Sequence, residues 1–160
     1  HAQTSVVDTA PVDLGFAPEH VAVVRNGLVG VVNGGTSAQV FAGAGYQSAG
    51  KTGTAQAVTI GQKDKYNAAK LTEHQRDHAL YMAYAPVDAP QIAVAVVVEN
   101  AGFGAASAAP IARRVFDYWL LGQYPSEEDM AATQKGQSGR PIGVPRAKKD
   151  VPLLSPKAPN

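Results

Sequence analysis

The chain has 160 residues and a mass of 16.6 kDa, and its 45% hydrophobic against 17% charged residues can bury a core and exclude wholesale disorder. Fourteen Lys plus Arg against thirteen Asp plus Glu leave a net charge of +1, so no overall field favours nucleic acid or an acidic surface. With no cysteine, disulfides, thiolate metal sites and cysteine nucleophiles are excluded.

The start, His1-Ala-Gln-Thr, has no initiator Met, basic stretch or apolar stretch, and reads as a processed piece with more sequence upstream. Residues 1–17 form a turn-rich lead-in containing Pro11 and Gly15. A first helix is predicted from Pro18 to about Asn33, because Val21, Val24, Leu28 and Val31 recur at three- and four-residue steps. Gly27 and Gly30 each cost that helix about 1 kcal/mol relative to Ala, or mark a close packing contact. Ser48 to Ile60 is rich in β-branched residues and reads as a strand. Residues 61–79 are a long polar connection. Leu80 to Ala85 and Gln91 to Glu99 are two strands of a hairpin joined by Pro86-Val-Asp-Ala-Pro90.

The run Ile92 to Val98 is the longest clean apolar stretch, strand-sized and well short of the roughly eighteen residues of a membrane span. Its two apolar faces, one carrying Ala93 and Ala95, predict a central strand closely covered by a helix. Ser107 is placed to cap a second helix with Pro110 in its first turn. Ile111, Val115, Tyr118 and Trp119 make its apolar stripe and Gly122 ends it. From Pro125 the composition shifts: six of eleven prolines lie there, and residues 131–160 carry six Lys/Arg against one Asp. This predicts a disordered Pro/Lys-rich tail over 125–160. The order of elements predicts an antiparallel sheet backed by helices, an α+β fold.

Two patterns compete for the same residues. Gly45-Tyr-Gln-Ser-Ala-Gly50-Lys51-Thr52 satisfies G-x-x-x-x-G-K-[ST], the phosphate-cradling loop of nucleotide-binding proteins. That chemistry needs a helix starting at the Lys, whose free N–H groups hold phosphates. Thr-Gly-Thr-Ala-Gln-Ala-Val-Thr-Ile follows here, poor helix and acceptable strand. The other parsing is Lys51-Thr52-Gly53-Thr54 as a K-T-G element on a strand. There an ammonium and hydroxyls suit a carboxylate, Gly53 admits a close backbone, and an extended peptide can add alongside. Alternation puts Lys51 and Gly53 on one face and Thr52 and Thr54 on the other. Ser48-Ala-Gly-Lys51 also matches S-x-x-K, but on a strand its ends stand about 10 Å apart, so Ser48 is not read as a nucleophile.

Beyond these letters, Tyr46 to Gln56, Tyr66-Asn67, Arg76-Asp77-His78-Ala79, Ala83 to Pro86, Pro90 to Asn100 and the segment closing at Gly122 resemble the C-terminal part of penicillin-binding protein 2, the class B D,D-transpeptidases of bacterial elongation. The resemblance covers about residues 18–122 and leaves out the tail, and it sets the C-terminal part of a transpeptidase domain at residues 18–124. It implies that Lys51 supports the charge network around an S-x-N serine. It further implies that Thr52 and Thr54 bind the carboxylate of a donor peptide or β-lactam, and that Gly53 leaves room for substrate. The Thr54 backbone N–H would be an oxyanion donor, a group whose loss can cost about 3 kcal/mol in a barrier. The acylated serine and the S-x-N element of the family are absent from this chain, so it is expected not to be acylated alone. The resemblance also implies no metal or organic cofactor, a membrane glycosyltransferase as partner, and a place on the periplasmic face of the inner membrane with the anchoring span outside this chain.

Other residues read more plainly. His74 and His78 with Glu73 and Asp77 have ligand-like spacing, but no third remote ligand stands out, so hydrogen-bonded loop histidines are expected. Glu99-Asn100 is expected to cap the turn at Gly102 or to pair with Arg76 or Arg113. Tyr81, Tyr84, Phe116, Tyr118 and Trp119 are assigned to the core, not to a nucleic-acid platform. Arg113 and Asp117 are read as a surface pair worth about 0.3 kcal/mol.

Overall fold

A computed structural model of the chain describes residues 12–57, 72 and 75–151. Helix α1 spans Pro18–Asn33, as its periodicity predicts, with Pro18 in the first turn. A one-turn helix α2, Ala38–Phe41, follows. Strands β1 (Ala49–Ala55), β2 (His78–Ala85) and β3 (Ile92–Val98) form an antiparallel sheet in the order β1-β2-β3. Helices α3 (Gly104–Ser107) and α4 (Ala109–Leu121) lead to a short ladder of β4 (Gln123–Tyr124) with β5 (Arg146–Ala147), which bracket helix α5, Glu127–Gln134. The arrangement is the predicted α+β fold, and among the described residues no helix is long and apolar enough to cross a membrane.

The core lies on one face of β2. Ala79, Tyr81, Ala83 and Ala85 alternate along it with exposures of 0 to 4%, and they meet Phe41 of α2 and Ala109, Ala112 and Phe116 of α4. Strand β2 is therefore central, and β3 is an edge among the described residues, contrary to the sequence expectation. Val94, Val96 and Val98 face the core, whereas Ala93, Ala95 and Val97 are exposed. Gly27 and Gly30 make no close contact, since a Cβ at either would meet nothing within 4 Å.

Helix α4 turns a different face to the sheet than its bulky residues predict. Ala109, Ala112 and Phe116 are buried, while Ile111, Val115 and Trp119 are exposed, Trp119 by 60%. The Ala-lined part of the strand face lets Ala109 and Ala112 bring the helix close, and Phe116 fills the remaining space beside Phe41 and Tyr46. Ser107 does not cap α4: its Oγ donates to Ala101 O at 2.8 Å, and residue 108 stands at the N-cap without a side-chain bond.

The largest departure is at the end of the chain. Residues 125–151, predicted as part of a disordered tail, dock onto α4. Ser126 caps α5 by accepting from Asp129 N at 2.9 Å and donates to Ile142 O at 2.7 Å. Asp129, 2% exposed, takes a two-pronged bond from Arg114 at 2.6 and 2.9 Å and a third from Ile142 N. Composition missed this because order here rests on polar ties, the buried Arg114–Asp129 pair, the Ser126 cap and the β4–β5 ladder, more than on apolar content. Residues 152–160 lie outside the described residues.

Candidate active-site strand

Strand β1 carries the competing motif. Its residues pair with β2 in the register Lys51↔Met82, Thr52↔Tyr81, Gly53↔Leu80 and Thr54↔Ala79. Lys51 and Thr52 thus sit in the middle of an antiparallel ladder, not at the start of a helix. The loop reading of Gly45 to Thr52 is therefore corrected: there is no strand–loop–helix unit here, and the N–H groups it would offer to phosphate are absent from the arrangement. The predicted strand is shorter than expected, ending at Ala55, and residues 58–60 lie outside the described residues.

Among the described residues β1 has β2 on one side only, so its other edge is open. Lys51 and Thr54 are exposed and Thr52 and Gly53 half-buried. Lys51 Nζ donates to Thr52 O at 2.8 Å in an exposed contact. Thr52 Oγ1 lies 3.0 Å from Thr36 Oγ1, a residue sequence reasoning did not single out. Register places Thr52 and Thr54 on the face of Tyr81 and Ala79, and Lys51 and Gly53 on the opposite face with Met82 and Leu80, as alternation predicts.

Glycines set how closely this strand is held. A Cβ at Gly50 would stand 2.6 Å from Tyr81 Oη, and one at Gly104 would stand 2.6 Å from Gly53 O and collide with Leu80 O. The first residue of α3 is thus seated on the Gly53 backbone. Ser48 is 2% exposed, precedes β1, and has no hydrogen-bond partner for its Oγ among the described residues. Its hydroxyl is enclosed, out of reach of a ligand on the surface of β1.

The approach to β1 is anchored by a buried network that the sequence reading put on the surface. Arg113 and Asp117 have only 8% and 12% of their side-chain surface exposed, with Nε 2.9 Å from both carboxylate oxygens. Arg113 Nη1 also donates to Val40 O and Ala42 O at 3.0 and 3.3 Å, and its guanidinium lies 6.0 Å from the Phe41 ring centre. Tyr46 Oη donates to Asp117 at 2.8 Å, and its ring meets Phe116 edge-on. Burial, reinforced by the Asp117 charge, raises the Tyr46 pKa well above the usual phenol value, so it stays a donor. Residues 40–46, which deliver the chain to β1, are thereby tied to α4.

Remaining candidates are placed as follows. His78 Nδ1 accepts from Asn100 N at 3.0 Å, a structural use, while Glu73 and His74 lie outside the described residues, as do Tyr66 and Asn67. Among the described residues no group of three His, Asp or Glu side chains is placed to hold a metal. Asn100 closes β3 with a left-handed φ of 56°, and the expected pairing with Arg113 does not form because Arg113 is committed to Asp117. Tyr81 and Phe116 are core residues as expected; Tyr84 and Tyr118 are half-buried, and Trp119 is not core.

Comparison with known proteins gives one family. Residues 3–117 match the penicillin binding protein transpeptidase domain. Peptidoglycan D,D-transpeptidase MrdA of Haemophilus influenzae is 46% identical over 106 residues, 65% of this chain and 16% of that protein. The protein of the same name from Acinetobacter baumannii is 48% identical over 98 residues, 61% of this chain and 14% of its own length. This chain therefore spans about one sixth of these relatives. Among solved structures, Pseudomonas aeruginosa penicillin-binding protein 2 in complex with WCK 5153 superposes with a TM-score of 0.54 and 38% identity, covering 71% of this chain and 24% of that one. The Helicobacter pylori penicillin-binding protein 2 of a complex with MreC shares the fold at a TM-score of 0.56 and 22% identity, over 74% of this chain and 21% of that one.

Proposed function

The chain belongs to the penicillin-binding-protein transpeptidase domain family, and on that premise we propose that it is the C-terminal part of a penicillin-binding protein 2 and supplies the K-T-G strand of a serine-type peptidoglycan D,D-transpeptidase. Residues 18–124 form its share of the catalytic domain. The observation that carries this reading is the placement of Lys51, Thr52, Gly53 and Thr54 in extended conformation on an open sheet edge. In an antiparallel ladder successive residues direct their backbone groups alternately toward and away from the partner. Thr52 O accepts from Lys51 Nζ, which supports an outward direction for Thr52 and, two residues on, for Thr54.

The donor stem peptide, or a β-lactam in its place, then lies along this edge. Thr52 and Thr54 hydroxyls bind its carboxylate. The Thr54 N–H stabilises the oxyanion as the carbonyl is attacked by a serine contributed by sequence outside this chain. The amide C–N bond then breaks, the serine's proton passes to the departing nitrogen, and the terminal residue of the donor leaves as a free amine (in a β-lactam the ring opens and the amine stays attached), giving an acyl-serine intermediate. Gly53, on whose backbone α3 is seated, leaves room for the substrate. Lys51 sustains the charge network around the S-x-N serine. The full-length enzyme works on the periplasmic face of the inner membrane, held by a span outside these residues, beside a glycosyltransferase of the elongation machinery that maintains cell shape.

Fluorescent penicillin tests this directly. The full-length enzyme should label covalently, Lys51→Ala should slow labelling by about a hundredfold or more, and the 160-residue chain alone should not label. A covalent band on the chain alone would show that the nucleophile lies within it, and undiminished labelling of the Lys51 variant would remove the strand from the mechanism.

A further inference from the structure

Next to the proposed carboxylate site stands a hydroxyl that no motif assigns. Thr36 lies between α1 and α2 with its Oγ1 3.0 Å from Thr52 Oγ1. The turn that presents it is held from several sides. Ser37 N and Ser37 Oγ both donate to Val31 O at 3.2 Å, and Ser37 Oγ lies 3.0 Å from Tyr81 Oη. Gly34 N donates to Gly30 O at 3.1 Å, and a Cβ at Gly35 would stand 2.7 Å from Val31 Cα, so the backbone there is pressed against α1. Tyr81 is also the ladder partner of Thr52, so one buried residue holds both ends of the Thr36–Thr52 contact, through its hydroxyl at Ser37 and through its backbone register at Thr52.

Each threonine hydroxyl has a single proton. If Thr52 donated to Thr36, it would offer a carboxylate only lone pairs. If Thr36 donates to Thr52, the Thr52 proton is released outward, and the polarised pair is a stronger donor than an isolated hydroxyl. Only the second arrangement suits an anionic ligand. Resting on the transpeptidase reading above, we propose that Thr36 is a positioning residue that sets the Thr52 hydroxyl as donor to the ligand's carboxylate.

The test is a double-mutant cycle in the full-length enzyme, reading the second-order rate of labelling by fluorescent penicillin. Thr36→Val, nearly the same shape, should lower the rate about five- to tenfold, the effect of one lost hydrogen bond. Thr36→Ser should stay within about twofold of the parent on the same ground, and Thr36→Val should add nothing in a Thr52→Val background. Additive losses, or a Ser variant as impaired as the Val variant, would make Thr36 a packing residue and overturn the proposal. A Thr52→Val enzyme that labels at the parental rate would instead refute the carboxylate site itself, and this inference with it.

Discussion

Replacing Asp117 by Ala is expected to destabilise the protein by about 3 to 5 kcal/mol, the cost of leaving a buried guanidinium without its counter-charge. Asp117 is bonded at 2.9 Å by Arg113 Nε and at 2.8 Å by Tyr46 Oη, and its removal leaves the guanidinium with carbonyl partners but no counter-charge and Tyr46 with only its 3.3 Å bond to Arg113 O. Urea unfolding should register the loss as a lower midpoint at an unchanged slope. The double variant Arg113→Met, Asp117→Leu should be far less impaired, because it removes both charges instead of stranding one. A cost for Asp117→Ala of a few tenths of a kcal/mol, as for a solvent-exposed helix pair, would mean that the network does not anchor residues 40–46.

Gly104→Ala is expected to cost about 3 kcal/mol, at the upper end of overpacking effects, because the added methyl meets backbone and not a movable side chain. It would stand 2.6 Å from Gly53 O and against Leu80 O, so either α3 leaves the sheet or β1 shifts. Both outcomes disturb the Lys51–Thr54 edge, and acylation of the full-length enzyme should fall along with stability. Gly27→Ala is the matched control: α1 has open space there, and the change should stabilise by up to about 1 kcal/mol. Equal effects at the two glycines would argue that α3 is not seated on Gly53.

How much of this was legible beforehand differs from element to element. Helix α1 and the hairpin of β2 with β3 were readable because periodicity and a Pro-bounded turn are local signals. The nature of β1 was readable too, since Thr52, Gly53 and Thr54 oppose a helix whatever the glycine-lysine pattern suggests. The face of α4 was not. Ile111, Val115 and Trp119 make an apolar stripe by spacing, yet Ala109, Ala112 and Phe116 are buried, because the partner face on β2, Ala79, Ala83 and Ala85 with one Tyr, is matched by two alanines and one ring. Only knowledge of that partner tells which stripe fits. Arg113 and Asp117 share the buried stripe, and their i, i+4 spacing alone cannot separate a buried pair from an exposed one.

The docking of residues 125–151 was hidden for a related reason. Ser126-Glu-Glu-Asp129 is a helix start by its letters, but the order of the whole segment depends on Arg114, fifteen residues from Asp129 and on another element. Lys51, Thr52, Gly53 and Thr54 were singled out by motif and resemblance, whereas Thr36 had no signal of its own. Its relation to Thr52 arises only when the turn between α1 and α2 is folded over β1.

The most direct test of the account is the structure of the full-length enzyme acylated by a β-lactam. The ligand should lie along the free edge of β1, its carboxylate within hydrogen-bonding distance of the Thr52 and Thr54 hydroxyls and its acyl oxygen facing the Thr54 N–H. A ligand bound away from that edge, or a carboxylate held by other residues while Lys51–Thr54 stays empty, would contradict it.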